Sequence, residues 1–405
     1  MVRRCDGSVV TWGPGFAGGD SHAVRDRLKN VQRIQASDEA FAAILVDGSV
    51  VTWGRADAGG DSSAVQDLLK NVQQIHASRR AFAAILADGS VVAWGDAHSG
   101  GDCRAVQDQL KNVQQIQASH SGLGACECAF AAILGDGSVV TWGPAVAGGD
   151  STAVQSRLKN VQQIQASARA FAAILGDGSV VTWGNAGHGG DSSAVQGQLK
   201  NVQQIQASDH AFAAILGDGS VVTWGHAGYG GDSHAVWHRL KNVQQIQASR
   251  GAFAATLVDG SVVTWGHGFG GNSRRVQDRL KNVQHIQASP DDFAAILGNG
   301  SVVTWGDGFG ADSSAVQNQL KNVQRIQASG SAFAAILGDG SVVTWGRDCA
   351  GGNSSAVMHR LKNVQRIHAS RHAFAAILGD GSVVTWGHDY GGGDSSAVHN
   401  DLTDY

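Results

Sequence analysis

The chain has 405 residues, of which 42% are apolar, and its 30 basic and 34 acidic side chains nearly cancel to a formal charge of −4. That composition supplies a buried core and excludes both a disordered chain and the large positive field expected of a protein whose main partner is nucleic acid. No uncharged apolar stretch is long enough to span a membrane as a helix, and the first residues, MVRRCDGSVVTWG, hold no apolar signal segment, so a cytoplasmic or nuclear protein is expected.

Five cysteines, Cys5, Cys103, Cys126, Cys128 and Cys349, occupy no repeating position, which fits a reducing compartment better than a disulfide framework. Trp-Gly does repeat, at Trp12, Trp53, Trp94, Trp142, Trp183, Trp224, Trp265, Trp305, Trp345 and Trp386, with successive spacings of 41, 41, 48, 41, 41, 41, 40, 40 and 41. A fixed period of this size marks a tandem array. Residues 1–30 form a leading half-unit, followed by units 31–71, 72–112, 113–160, 161–201, 202–242, 243–282, 283–322, 323–363 and 364–405.

Each unit opens on a run such as VQQIHAS at 72–78, a candidate first strand. After two variable residues come AFAAIL at 81–86 and SVVAW at 90–94, joined by Asp88-Gly89. Two β-prone runs around Asp-Gly predict a hairpin, with a type I′ turn as the expected geometry. The three runs make a meander.

After Trp-Gly a glycine-bearing loop leads into segments such as 61–71, DSSAVQDLLKN. Ser63 and Gln66 have capping-box spacing, Val65 and Leu69 share a face, and Asn71 suits a left-handed cap, so a short helix leaning on the sheet is expected, with an irregular outer strand as the alternative. The repeated Gly-Gly-Asp-Ser, as at 18–21 and 148–151, is read as a helix cap rather than a serine nucleophile, since six copies cannot be one catalytic constellation.

A unit of about 40 residues cannot bury both faces of its sheet, so neighbours must stack. The expected fold is mainly β: a propeller-like tandem repeat of about nine to ten three-stranded units, each with a short helix or outer strand, in a closed ring or an open arc. The leading half-unit is expected to duplicate the last unit rather than complete it.

The frame AFAAILGDGSVVTWG…GG preceded by VQQIQAS is similar to the regulator of chromosome condensation repeat family. The resemblance covers nearly the whole chain and implies a β-propeller, usually of seven blades, and a role in guanine-nucleotide exchange on a small GTPase, in substrate recognition linked to HECT-type ubiquitin ligation, or in enzyme inhibition. The units here are short, exceed seven, and include no long insertion like the wedge of exchange factors.

Three further patterns are read as structural. The loops at 13–18 and 266–271 imitate a dinucleotide fingerprint but lead into hairpins instead of a parallel βαβ unit. The insertion at 120–128, with His120, Cys126 and Cys128, offers three ligands where a structural zinc site has four, and is read as a solvated loop. Asn299-Gly300-Ser301 and Asn353-Ser354-Ser355 match glycosylation acceptors in a chain with no visible secretory signal. No cofactor, metal or catalytic residue is expected.

The chain direction through each unit places the turns after the first strand and the loops after Trp-Gly on one face. The Asp-Gly-Ser turns and Lys-Asn segment ends fall on the other. The second face is nearly constant between units, and the first is not. Its partner-binding candidates are Asp38, Glu39, Arg79, Arg80, His120, Arg169, Asp209, His210, Tyr229, Arg250, Phe269, Asp291, Phe309, Arg371, His372 and Tyr390. A rigid frame that displays different charged and aromatic side chains on one side predicts a scaffold for a protein partner, not an enzyme.

Overall fold

The computed structural model describes residues 1–3, 6–120, 127–268, 270–398 and 402. They fall into two compact units, one of Met1–Thr11, Gly15–Gly217 and Val222–His226, the other of Trp12–Pro14, Asp218–Val221 and Ala227–Tyr405. The architecture is mainly β, with nine three-stranded antiparallel meanders in tandem and a two-stranded leading hairpin in which Val2–Arg3 pairs with Val9–Val10. No helix among the described residues is long and apolar enough to cross a membrane.

In the first unit the meander Val31–Ala36, Ala40–Leu45 and Val50–Gly54 sets the pattern. Alternation along Ala40–Leu45 sends Phe41 and Ala43 to one face of the sheet and Ala40, Ala42 and Ile44 to the other. The alanine face meets the next sheet, where Ala40, Ala42, Ile44 and Val50 pack with Val72, Ile75, Phe82, Ala84, Val92 and Trp94. Small side chains on one sheet thus receive the Phe82–Trp94 stack of its neighbour, whose ring centroids lie 5.2 Å apart. The second unit repeats the fit, Ala332, Ala334 and Ile336 packing against Phe374, Ala376 and Trp386.

Each Trp of a Trp-Gly pair also donates its indole N–H to a glycine carbonyl in a post-Trp loop, that of the preceding repeat. In the first unit Trp53 bonds Gly18 at 3.0 Å, Trp94 bonds Gly59 at 3.0 Å and Trp183 bonds Gly148 at 3.1 Å. In the second, Trp265 bonds Gly230, Trp345 bonds Gly310 and Trp386 bonds Gly351, all at 3.0 Å. Trp12 bonds Gly392 at 2.8 Å by the same rule, 380 residues away in sequence. The acceptor loops must be glycine where they touch the stack: at Gly59, φ is 93° and an added Cβ would stand 2.5 Å from the Phe82 ring.

Three local expectations are corrected or narrowed. The Asp-Gly hairpins are not type I′, because only the glycine has positive φ, 78° at Gly48. Gly48 N–H bonds Leu45 O and Leu45 N–H bonds Ser49 O, the pattern of a type I turn closed by a glycine bulge. The segment after the post-Trp loop is 3₁₀ helix, such as Gln66–Leu68 and Thr152–Arg157, and not an outer strand.

The third correction concerns its caps. The serine of Gly-Gly-Asp-Ser makes no cap bond; Asp61 Oδ1 accepts the Ser63 N–H instead, while Ser62 Oγ pairs with Thr52 Oγ1 at 2.9 Å. Gln66 joins no capping box, since its amide spans from Ser62 Oγ to Val50 O and satisfies the last strand's carbonyl. Leu69 is buried as expected, and Val65 packs beside it.

Asn71 and its eight equivalents are left-handed, with φ between 53° and 57°. Their backbone ties the constant face together: Ala87 N–H bonds Asn71 O, and Val72 N–H bonds Gly48 O of the preceding turn. Asn160→Ala is expected to cost about 1–2 kcal/mol, the penalty of left-handed backbone for a residue with a Cβ, and Asn160→Gly clearly less. Urea midpoints of the two variants against the parent check this, and equal losses would rule it out.

Candidate functional site

The variable face is assembled by backbone. Ser37, Ser78 and Ser167, which end the first strands of three repeats in the first unit, donate their hydroxyls to Ala58, Ser99 and His188 carbonyls at 3.0, 2.6 and 2.8 Å. Ser329 and Ser370 do the same to Ala350 and Gly391 in the second unit. The short turn and the post-Trp loop of a repeat are therefore one joined surface. Adjacent turns are bonded as well, Asp38 N–H to Arg79 O and Ala168 N–H to Asp209 O in the first unit, Arg250 N–H to Pro290 O and Gly330 N–H to Arg371 O in the second.

On this frame the candidates gather into four patches, two in each unit. In the first, Arg79 pairs with Asp38 at 2.9 Å, and Glu39 receives both Arg80 at 3.3 Å and Arg55 at 3.0 Å, with Asp57 on the far side of Arg55. Side chains that vary between repeats thus answer one another across neighbouring turns. Such partly exposed pairs are worth about 0.2–1 kcal/mol each.

In the second patch Arg169 pairs with Glu127 at 3.1 Å, and the rings of His188, His210 and His226 follow at centroid separations of 4.1 and 6.3 Å. Asp209 sits in the turn beside them. Burial, then the neighbouring His210, Arg169 and His226, pushes the His188 pKa down to about 4, and burial lowers that of His210, so His188 is neutral at pH 7. Among the described residues, no group of three or more His, Cys, Asp and Glu has the geometry to hold a metal ion.

The third patch holds Arg250, 3.9 Å from Asp291, whose buried Oδ1 accepts no hydrogen bond. Next to it Asp292 is fully buried where most repeats carry alanine. Its two oxygens accept the Gly308 and Gly310 N–H groups at 2.6 and 2.9 Å, inside a loop one residue shorter than most. Burial raises its pKa to about 6, against the opposing pull of those two N–H groups and with Asp291 and Asp307 adding to the rise.

The fourth patch is aromatic and cationic. Arg347 lies 5.1 Å over the Phe309 ring, His372 and His388 are 6.5 Å apart, and His388 lies 5.5 Å from Tyr390. Phe309 is 61% exposed and Tyr390 74%, and Arg371 and His372 are exposed beside them. Burial, with Arg371, His388 and Arg347 nearby, lowers the His372 pKa.

Tyr229 is half-buried and His120 exposed. Phe269 and the residues 121–126 of the insertion, including Cys126, lie outside the described residues. Cys128 is buried. Arg55, Glu127, His226, Asp292 and Arg347 complete the patches without having been singled out as candidates, and His188 joins them as one of the variable loop tips. Opposite charges 41 residues apart, as in Asp38 and Arg79, were the available signal for such pairings, and the break in AFAAIL was the signal for Asp292.

No protein-family model matches the sequence, and neither does any curated protein. Among solved structures the chain is similar to Prp20p from Saccharomyces cerevisiae, reported with its binding to Gsp1p and histones, at 15% identity over 86% of this chain and 84% of that one, TM-score 0.38. It is similar at 15% identity to a chain in the crystal structure of Kap60 bound to yeast RCC1 (Prp20), over 56% of this chain and 70% of that one, TM-score 0.35. The CRINKLY WD40 ectodomain of the Arabidopsis thaliana receptor kinase ACR4 gives 16% over 69% and 97%, TM-score 0.36. The fold assignment stands on the strands, stacks and indole bonds described above.

Proposed function

We propose that the chain is a protein-binding scaffold that engages its partner through the variable loop face. The observation that carries this reading is the fourth patch, where Phe309 and Tyr390 stand exposed beside Arg347, Arg371 and His372 on a backbone fixed by hydrogen bonds. Exposed aromatic and arginine side chains on a rigid base are what dominate the energy of protein interfaces. The first patch is a weaker anchor, because its charges are already engaged with one another and would have to exchange internal partners for external ones.

Affinity capture from the source cell tests this with the parent chain, Phe309→Ala/Tyr390→Ala and Arg79→Ala/Arg80→Ala. The aromatic variant is expected to lose the captured protein and the arginine variant to retain most of it. An unchanged set of partners in both would overturn the reading. The class of the captured protein then separates the narrower roles: a small GTPase whose nucleotide release is stimulated, a substrate presented for ubiquitin ligation, or an enzyme inhibited at equal stoichiometry.

A further inference from the structure

The geometry points to a second binding site, away from the loop face: a cleft across the first strands of three successive repeats that takes an extended acidic peptide. The strands Val283–Ala288, Val323–Ala328 and Val364–Ala369, all in the second unit, run side by side. Each carries a bulge after its opening valine, between Val283 and His285, Val323 and Arg325, and Val364 and Arg366. A bulge adds one residue to a strand and re-aims its side chains. Here the two residues after the valine face outward together, Gln324 with Arg325 and Gln365 with Arg366, where simple alternation would have hidden one of each pair.

The result is a row of His285, Arg325 and Arg366 at equivalent positions. Together with His368, Gln324 and Gln327 they line a cleft of about 460 Å³ that contains no acidic residue. Its floor is apolar, formed by Ile326, Ile336 and Ile367. Arg325 and Arg366 form no ion pair among the described residues, in contrast to Arg79, Arg80, Arg169 and Arg250 on the loop face. In the first unit the equivalent position holds Arg33, then Gln74, Gln115, Gln163 and Gln204, so the concentration of positive charge is particular to these three strands.

Charge complementarity selects an anion, and the glutamine row selects its form. Carboxamides both donate and accept, which matches the alternating N–H and C=O of an extended peptide backbone. Sheets packed face to face lie about 10 Å apart, and three residues of extended chain span about the same distance. A peptide with an acidic residue at every third position would therefore meet His285, Arg325 and Arg366 in turn, an ion pair with each arginine and a hydrogen bond with the imidazole. These residues are separate from those of the loop face, and this site does not depend on the partner proposed there.

The test uses the full chain and a fluorescein-labelled Glu-Ser-Gly repeat peptide, read by fluorescence anisotropy. Arg325→Gln/Arg366→Gln installs the residue that other repeats carry at this position, so folding is preserved and is checked by an unchanged thermal midpoint. Binding is expected to weaken at least tenfold in this variant, to fall steeply as salt rises from about 50 to about 500 mM, and to be unaffected by Arg79→Ala/Arg80→Ala. A Lys-Ser-Gly peptide is expected not to bind. Equal binding by the glutamine variant would overturn the proposal, and so would inorganic polyphosphate or duplex DNA binding as tightly as the acidic peptide.

Discussion

Trp183→Ala is expected to destabilise its repeat by about 4–5 kcal/mol, the upper part of the range for truncating a buried aromatic. The side chain is 4% exposed, stacks on Phe171 at 5.2 Å and packs with Ala129, Ala131, Ile133 and Val139 of the preceding sheet. Truncation opens a cavity at the junction, and alanines on the opposing sheet have no side-chain atoms with which to fill it. It also strands the Gly148 carbonyl that now receives the indole N–H. Trp183→Phe separates the two contributions, since it keeps a ring against Phe171 and loses only the hydrogen bond and some volume, at about 1–2 kcal/mol. Urea titration gives the totals, and hydrogen exchange across Val180–Gly184 shows whether the loss is local. If both variants lose the same amount, or the alanine variant less than about 1 kcal/mol, the stacked aromatic pair is not what joins neighbouring repeats.

The repeat, its three strands and the division into two faces were legible because each depends on local grammar: alternation in AFAAIL, Asp-Gly at the hairpin, Asn at the left-handed position. What local grammar misassigned was the choice between rules that share residues. Asp-Gly serves a type I′ turn or a type I turn with a glycine bulge, and Asp47 takes negative φ because the Asp47 carboxylate accepts the Ser49 N–H and hydroxyl at 2.9 and 2.7 Å. Ser-x-x-Gln reads as a cap, but the long amide of Gln66 reaches the unpaired carbonyl of Val50 on another element, and the shorter Asp61 takes the N-terminal N–H.

The mutual pairing of the site candidates needed the stacking of repeats to become visible. Asp38 and Arg79 are unrelated in a linear reading and touching once one repeat is laid on the next. The row of His285, Arg325 and Arg366 was hidden for a different reason. VQRIQA is a plain strand by composition, and only the bulge, set by pairing with the second strand, turns Gln324 and Arg325 to the same side.

Asp292 is expected to make stability fall as pH rises from about 4 to about 6, by roughly 3 kcal/mol. Its folded pKa of about 6 lies above the ordinary unfolded value, so the folded chain holds a proton that the unfolded chain has released across that window. The stabilisation is complete below the unfolded value and is gone once pH has passed the folded one. The histidines act oppositely. The folded pKa values of His76, His188, His210 and His372 are lowered, His188 to about 4, so their contribution is lost as pH falls below the ordinary histidine value. The turn aspartates such as Asp88, held below the usual carboxylate range by the Ser90 hydroxyl and N–H, titrate beneath the window and leave it undisturbed. The informative quantity is therefore the difference between the parent and Asp292→Asn. The variant keeps the shape and an acceptor oxygen for the Gly308 or Gly310 N–H, and removes the ionisation. Urea midpoints from pH 4 to pH 7 should show the parent losing ground to the variant as pH rises, with the steepest change midway between the unfolded and folded values, at about pH 5. A difference that stays constant across the range would mean that the buried carboxyl does not titrate there, and that the two glycine N–H groups hold it charged throughout in spite of its burial.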